Sequence, residues 1–178
     1  TAGLKERDID RIVVGSGFTP STALRALPKM HHQARDKGQF SRLLHAYIVY
    51  QSALRKTGLH TLEMDASQAL LESRLRGERP FDRARVTMMD HHQAHAEVAY
   101  RTQADPHCLV LTVDAMGDGT TCTAWMGDNG RLERLYRQSG LASIGTFYSR
   151  ITQLLGFRPV RHEGKITGLA AYAEPPPR

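Results

Sequence analysis

Three consecutive strand patterns in the second half of the chain constrain the fold more than any other feature. His107–Asp114 is strongly apolar, and Thr120–Met126 alternates between apolar and polar residues, a pattern typical of a strand with one buried face. Ala115–Gly119 separates these two segments, and Asp128–Gly130 predicts a hairpin turn into a third strand over 131–137. The sequence therefore predicts a three-stranded antiparallel meander.

Helices and two short strands are predicted around the meander. Apolar residues at helical spacing predict an amphipathic helix over about 39–56, with core positions at Phe40, Leu43, Leu44, Ile48, Tyr50 and Leu54. Residues 19–37 contain two prolines and few periodic apolar positions, which predicts an irregular basic segment. The remaining predicted elements are strands at 11–14 and 85–89, a helix capped by Asp65 or Ser67 that ends near Arg76, a helix that begins at His91, and helices at 143–155 and 163–172.

Composition limits the class of protein and of ligand. The chain has 178 residues and a formal net charge of +6, which favours phosphate-bearing ligands over cationic partners. Its basic residues are scattered and aromatics make up 7%, so the pattern does not favour a nucleic-acid binder. Two cysteines without CxxC spacing and the absence of a long apolar run predict a soluble, cytoplasmic protein without a membrane partner.

A pair of histidines suggests a metal site. His91 and His95 are four residues apart on a predicted helix, so both imidazoles can face one ion while His92 points aside. A catalytic metal takes about three protein ligands, so at least one more ligand must come from elsewhere. The alternative is that both are surface or capping histidines.

The turn after the first meander strand suggests a phosphate or nucleotide site. Asp114 ends an apolar strand and is placed to hold a metal-bound water or a nucleotide-linked ion, while Gly117, Asp118 and Gly119 form a tight turn that exposes backbone N–H groups. Thr120 and Thr121 offer hydroxyls to a phosphate oxygen. The alternative is an ordinary β-turn.

A third polar group lies at 161–172. Lys165 could contact a phosphate or another substrate oxygen, and His162 or Glu163 could orient it or move a proton. The alternative is that this group only caps a helix.

Four motifs resemble the O-carbamoyltransferases of the nodulation-factor, cephamycin and tobramycin type. They are HHQAHAEVAY, VDAMGDGTT, GTFYSRITQLLGF and HEGKITGLAAY, in this order, with a weaker match at AGLKERDIDRIVVG. The resemblance implies an α/β fold that is part of an actin-like ATPase (ribonuclease H-like) domain, with a mixed sheet, an antiparallel meander and flanking helices. Residues 1–178 would be the interior of the N-terminal domain, with a strand and helical segment over about 1–80 and the metal helix, meander and HEGK helix over about 81–178.

The resemblance also implies an enzymatic reaction. Carbamoyl phosphate and ATP would give a carbamoyl-adenylate, whose carbamoyl group passes to a hydroxyl of a small molecule such as an aminoglycoside or another antibiotic precursor. His91 and His95 would bind a divalent metal, iron(II) or zinc, and Asp114 with the Gly117–Thr120 turn would form part of the nucleotide and metal pocket. Asp114, His162 and Lys165 are the candidate catalytic residues.

Family members are longer than this chain. They carry a histidine-containing strand–turn–strand unit before the position of Thr1, and a third metal ligand, an aspartate, with a further domain after Pro175. The chain is therefore expected to need the remainder of the enzyme as its partner and to be inactive alone. Two alternatives are a tRNA threonylcarbamoyl-transfer or hydrogenase-maturation relative, which shares the HxxxH helix, and a truncated, non-catalytic nucleotide-binding domain.

Overall fold

The computed structural model describes residues 9–27, 40–76 and 84–173. Its strands are β1 (Arg11–Val14), β2 (Arg85–Met88), β3 (His107–Gly117), β4 (Thr120–Asp128) and β5 (Arg131–Ser139). Its α-helices are α1 (Thr22–Ala26), α2 (Phe40–Thr57), α3 (His60–Leu75), α4 (His91–Thr102), α5 (Ile144–Leu154) and α6 (Glu163–Ala170), and a 3₁₀ turn spans Gly140–Ala142.

The predicted meander is confirmed. β3, β4 and β5 form an antiparallel sheet in sequence order, and both connections are two-residue turns. Asp118 and Gly119 have φ of 50° and 71°, and Asn129 and Gly130 have φ of 46° and 85°. Two successive positive φ values match the right-handed twist of hairpin strands, which is why Gly, Asn and Asp occupy these positions.

The sheet arrangement differs in one respect from the expected mixed sheet. β1 and β2 pair in parallel as a separate two-stranded sheet, in the register Arg11 to Arg85 through Val14 to Met88. The fold is therefore mixed α/β, with an antiparallel three-stranded sheet and flanking helices. The actin-like assignment stays a prediction.

One face of the meander forms a core with α4. Ala96 and Tyr100 on α4 pack with Val110 and Trp125 on the sheet, and all four side chains are buried. The opposite face is exposed at Leu109, Leu111 and Val113. Alternate side chains of β3 therefore point to a buried face and to an exposed face of the sheet.

The helical segment departs from the sequence prediction in three places. The segment 19–37 was predicted as irregular, but it contains α1, and the side chain of Ser21 caps this helix. The residues of the segment after Leu27 lie outside the described ranges. α3 begins at His60 instead of after Asp65 or Ser67. Ser67 lies in the interior of α3, where its buried side chain is hydrogen-bonded to the Thr22 hydroxyl at 2.8 Å.

The buried face of α2 is more polar than predicted. Ile48 is buried, but Tyr50 is 42% exposed, and Gln51 and Ser52 are buried instead. Gln51 accepts the Gly119 N–H of the turn between β3 and β4, and Ser52 accepts from the Ser139 hydroxyl at the end of β5. Among the described helices, none combines the length and apolar character required to cross a bilayer.

Tyr100 gives a test of how the meander is joined to α4. Its hydroxyl donates to the Pro106 carbonyl at 2.9 Å and accepts from the Gly130 N–H at 2.7 Å. Tyr100→Phe should lower the free energy of unfolding by about 1–2 kcal/mol because both groups lose their partner. Tyr136→Phe, at a residue that is 52% exposed, should change it by less than about 0.5 kcal/mol. Urea denaturation followed by circular dichroism measures both; equal effects would contradict the prediction.

Candidate metal centre

The candidate centre lies where β2 passes into α4. Asp90 is the N-cap residue of α4, and its carboxylate accepts the N–H groups of His92 and Gln93. The other carboxylate oxygen forms an ion pair with Arg55 of α2. A capped first turn fixes the direction of the helix, so the positions of His91 and His95 depend on Asp90 and Arg55.

Three possible metal-binding side chains meet in this region. His91 Nε2 lies 2.7 Å from Asp114 Oδ2 and 3.2 Å from His95 Nε2. The ligand atoms of all three residues lie within 4.8 Å of one another, and they form a potential metal-binding group in the described part of the chain. His95 is exposed, whereas His91 and Asp114 are half-buried, so the group opens to solvent on the His95 side.

Asp114 and His91 shift one another's proton affinity. The hydrogen bond to Asp114 raises the pKa of His91 above 6.5, against an opposing effect of burial. The same hydrogen bond lowers the pKa of Asp114 from 3.8 to about 2. Without a metal ion, the contact therefore favours an imidazolium at His91 facing an ionised carboxylate at Asp114.

The donor atoms fit a divalent transition metal. Two imidazole nitrogens and one carboxylate oxygen suit iron(II) or zinc. Atoms bound to one such ion at about 2.0–2.2 Å lie about 3–3.5 Å apart. The separations of His91 from Asp114 and from His95, 2.7 and 3.2 Å, are near this range, and the third separation is within 4.8 Å. Sequence reasoning identified two candidate ligands and expected the third outside the chain, whereas the fold brings a third donor, Asp114, within the chain to the same place.

His92 points away from this group, as predicted. It is fully buried, and its two ring nitrogens contact the Thr112 hydroxyl at 2.7 Å and the Thr120 carbonyl at 3.0 Å. Burial lowers its pKa. His92 therefore anchors α4 to β3 and β4.

Gly117 allows the ring of His91 to approach the sheet. A Cβ atom built on Gly117 would lie 2.0 Å from His91 Cδ2 and 2.2 Å from His91 Cγ. Any larger residue would therefore have to displace the imidazole ring. Gly117 was predicted to belong to a phosphate-binding turn. In the structure it contacts the imidazole ring of His91.

The backbone amides of the turn have partners within the protein. The Asp118 N–H donates to the Thr19 hydroxyl at 2.8 Å, and the Gly119 N–H donates to Gln51 Oε1 at 3.3 Å. The Asp118 side chain is fully buried. These contacts do not support the predicted exposure of turn amides to phosphate, and nucleotide binding by Gly117, Asp118 and Gly119 stays a prediction.

The two threonines after the turn are also buried. Thr120 is 1% exposed and its hydroxyl has no hydrogen-bond partner among the described residues, while the Thr121 hydroxyl donates to the Asp114 carbonyl at 2.6 Å. Thr121 therefore supports the strand end that carries Asp114. A phosphate contact from Thr120 would require its hydroxyl to become accessible.

His162 and Lys165 form a separate pair at the start of α6. Lys165 Nζ lies 3.3 Å from His162 Nε2, and His162 Nδ1 accepts the Arg158 N–H at 3.2 Å. Glu163 accepts from the Ser149 hydroxyl at 2.6 Å and from the Val160 N–H at 2.5 Å. Among the described residues, no hydrogen bond joins the His162–Lys165 pair to the donors around Asp114.

Sequence inspection missed Asp90 and Arg55. Asp immediately before a helical pattern is a cap signal, so Asp90 could have been found from its position before His91. No sequence pattern connects Arg55 with Asp90, because the ion pair depends on the packing of α2 beside the start of α4.

Comparison with known proteins identifies the family. The sequence model of the carbamoyltransferase N-terminus family matches residues 1–178. The chain belongs to this family. The predicted resemblance to the O-carbamoyltransferases is thereby confirmed.

Individual relatives match about half of the chain. An uncharacterized protein of Methanocaldococcus jannaschii is 34% identical over 82 residues, which are 46% of the chain and 16% of that relative. An uncharacterized protein of Synechocystis is 34% identical over 86 residues, 48% of the chain and 14% of the relative. Nodulation protein NolNO of Sinorhizobium fredii is 29% identical over 96 residues, 54% of the chain and 14% of the relative. The matched segments thus span less than a fifth of these relatives.

The His91–Asp114 pair predicts a pH dependence in the metal-free protein. The pKa of His91 is raised, so its contribution to stability is present below 6.5 and is lost as the pH rises through the raised value. The pKa of Asp114 is lowered, so its contribution is present above 3.8 and is lost as the pH falls through about 2. The ion pair should therefore stabilise the fold most between pH 3.8 and 6.5.

NMR titration of the His91 ring should give a midpoint above 6.5, and Asp114→Asn should lower it. Asp128→Asn removes the carboxylate of an exposed histidine pair, His107–Asp128, and should leave the His91 midpoint unchanged. A His91 midpoint that is insensitive to Asp114→Asn would show that the two side chains do not interact.

Gly117→Ala tests the close approach of His91. The added methyl group should displace the ring, lower the free energy of unfolding by about 1–3 kcal/mol and shift the His91 midpoint downwards. Gly164→Ala is the matched control because a Cβ at Gly164 meets nothing within 4 Å. Thermal unfolding and NMR titration measure both effects, and an unchanged His91 midpoint in Gly117→Ala would argue against the contact.

Proposed function

We propose that this chain is part of an O-carbamoyltransferase that uses carbamoyl phosphate and ATP, through a carbamoyl-adenylate, to carbamoylate a hydroxyl of a small molecule. The observation that carries the proposal is the convergence of His91, His95 and Asp114 in a chain of the carbamoyltransferase N-terminus family. Because the matched segments are short parts of the relatives, the activity is proposed for a longer protein that contains this chain.

His91, His95 and Asp114 would hold a divalent metal, iron(II) or zinc. When bound, such an ion supplies Lewis-acid stabilisation of negative charge on phosphoryl or acyl oxygens. The exposed side of the group, at His95, leaves room for a ligand next to the ion. A catalytic metal site requires such an open position.

Asp114 has two tasks in this proposal. Its Oδ1 accepts the N–H of Ala115 at 2.6 Å, and its Oδ2 contacts His91 at 2.7 Å. The first contact fixes the carboxylate at the strand end, and the second orients the imidazole. The low pKa of Asp114 keeps the carboxylate ionised, as a metal ligand must be.

His162 and Lys165 are proposed to act on the carbamoyl phosphate. Lys165 is a cation that can pair with a phosphate or carbamoyl oxygen, and His162 contacts its amino group at 3.3 Å. The net charge of +6 supports an anionic ligand. Because the amides of Asp118 and Gly119 already have partners within the protein, Asp114, which precedes the turn, is the residue of this region best placed to face a nucleotide.

Metal binding tests the centre directly. Protein purified without added metal should contain iron or zinc in elemental analysis, and stripped protein should bind one equivalent of Zn²⁺. His95→Ala should weaken binding about tenfold or more, because it removes one of three ligands. His107→Ala, on an exposed histidine outside the cluster, should have no effect. Absence of bound metal together with equal behaviour of both variants would refute the centre.

Activity requires the longer protein. Full-length enzyme should transfer label from carbamoyl phosphate to an alcohol only when ATP is present, and Asp114→Asn should abolish this transfer. Transfer that proceeds without ATP would contradict the proposed adenylate route while leaving the metal site intact.

A further inference from the structure

We infer that Asp118 is a positioning residue, which holds the first turn of α4 and thereby His91 in place, and is not a ligand-binding residue. The inference rests on the proposed metal site for its functional meaning. Its structural basis is independent of any bound ion.

The carboxylate of Asp118 accepts three backbone N–H groups from two separate segments. Oδ2 accepts from Gly17 at 2.6 Å and from His91 at 2.9 Å, and Oδ1 accepts from Phe18 at 2.8 Å. Gly17 and Phe18 follow β1, whereas His91 is the first residue of α4. One side chain thus connects the loop after β1 with the start of the metal-binding helix.

The backbone of Asp118 is held equally firmly. Its N–H donates to the Thr19 hydroxyl at 2.8 Å, and its carbonyl accepts from Arg55 Nε at 3.0 Å. Arg55 also pairs with Asp90, the cap of α4. Two independent connections therefore reach the first turn of α4 from the turn that contains Asp118.

Burial excludes a direct contact with a ligand in this conformation. Asp118 is 0% exposed, and its two oxygens are occupied by the three amides. Free N–H groups at the start of a helix attract an anion, and Asp118 supplies this anion from within the protein. A phosphate would have to displace the carboxylate to use the His91 N–H.

Fixing His91 at its backbone has a consequence for its ring. The ring already lies against Gly117 and beside Asp114, so a small rotation of the first turn would separate the three metal donors. Side chains that orient the ligands of a metal commonly change its affinity about 10–100-fold when removed.

Asp118→Asn is the test, because the amide group keeps the size but places a donor where an acceptor is needed. The amides of Gly17, Phe18 and His91 should exchange hydrogen about tenfold or more faster, and the affinity of the stripped protein for Zn²⁺ should fall about tenfold or more. Asp128→Asn is the matched control at an exposed aspartate. Tyr100→Phe controls for destabilisation without a change at Asp118.

The outcomes separate this inference from the proposed metal site. Faster exchange at the three amides and weaker Zn²⁺ binding in Asp118→Asn, but not in the two controls, support it. Unchanged exchange at His91, or Zn²⁺ affinity within about threefold of wild type, overturns it. If wild-type protein binds no Zn²⁺, the metal site is refuted and the exchange comparison alone decides whether Asp118 holds His91.

A second variant, Thr19→Val, tests the inference if Asp118→Asn does not fold. Thr19→Val removes the acceptor of the Asp118 N–H and leaves the carboxylate in place. It should accelerate exchange of the same amides by a smaller factor, and no acceleration would overturn the inference.

Discussion

The connection between the β3–β4 turn and the start of α4 is the constraint on which the rest of the candidate site depends. A helix begins with unpaired N–H groups, and here carboxylates from two different segments satisfy them. Asp90 satisfies those of His92 and Gln93, and Asp118 satisfies that of His91. With the backbone of His91 held in this way, its ring lies against Gly117 and beside Asp114 near the end of β3.

The electrostatic state of the site follows from this placement. The contact between His91 and Asp114 favours an ion pair in the absence of a metal ion, and a divalent cation at the same position would replace the proton of the imidazolium. Metal binding should consequently release protons and become stronger as the pH rises through the raised pKa of His91. His91 Nε2 and Asp114 Oδ2 can form an ion pair with each other or bind one metal ion together. The free energy of the ion pair therefore opposes metal binding.

Much of the fold was accessible from the sequence because its signals are local. The meander follows from alternation and two turn sequences, and α4 follows from helical spacing after a short strand. The predicted start of α3 was wrong. Asp65 and Ser67 are residue types that often cap helices, but in the structure Ser67 forms a tertiary contact with Thr22. Local propensity cannot predict such a contact, which joins residues 45 positions apart.

His91, His95 and Asp114 were candidates from the sequence, but their meeting at one place was not predicted. The spacing of His91 and His95 identified the face of the helix, and it separated both from His92. The meeting of Asp114 with His91 depends on α4 crossing the end of β3, which no spacing rule contains. Asp118 looked like a turn residue because Gly-Asp-Gly is a turn sequence. Its side chain instead reaches two segments about 100 and 27 positions away.

The HEGK segment is linked to the same strand through α5. The Ser143 hydroxyl donates to the Ala115 carbonyl, and Gly145 packs so closely on Ala115 that a Cβ there would lie 2.7 Å from its Cα. One turn further along, Ser149 donates to Glu163 at the start of α6. Ala115 directly follows Asp114, so α5 is fixed at one end to the candidate metal centre and at the other to the segment that carries His162 and Lys165. Each of the four motifs thus contacts the next one along the chain.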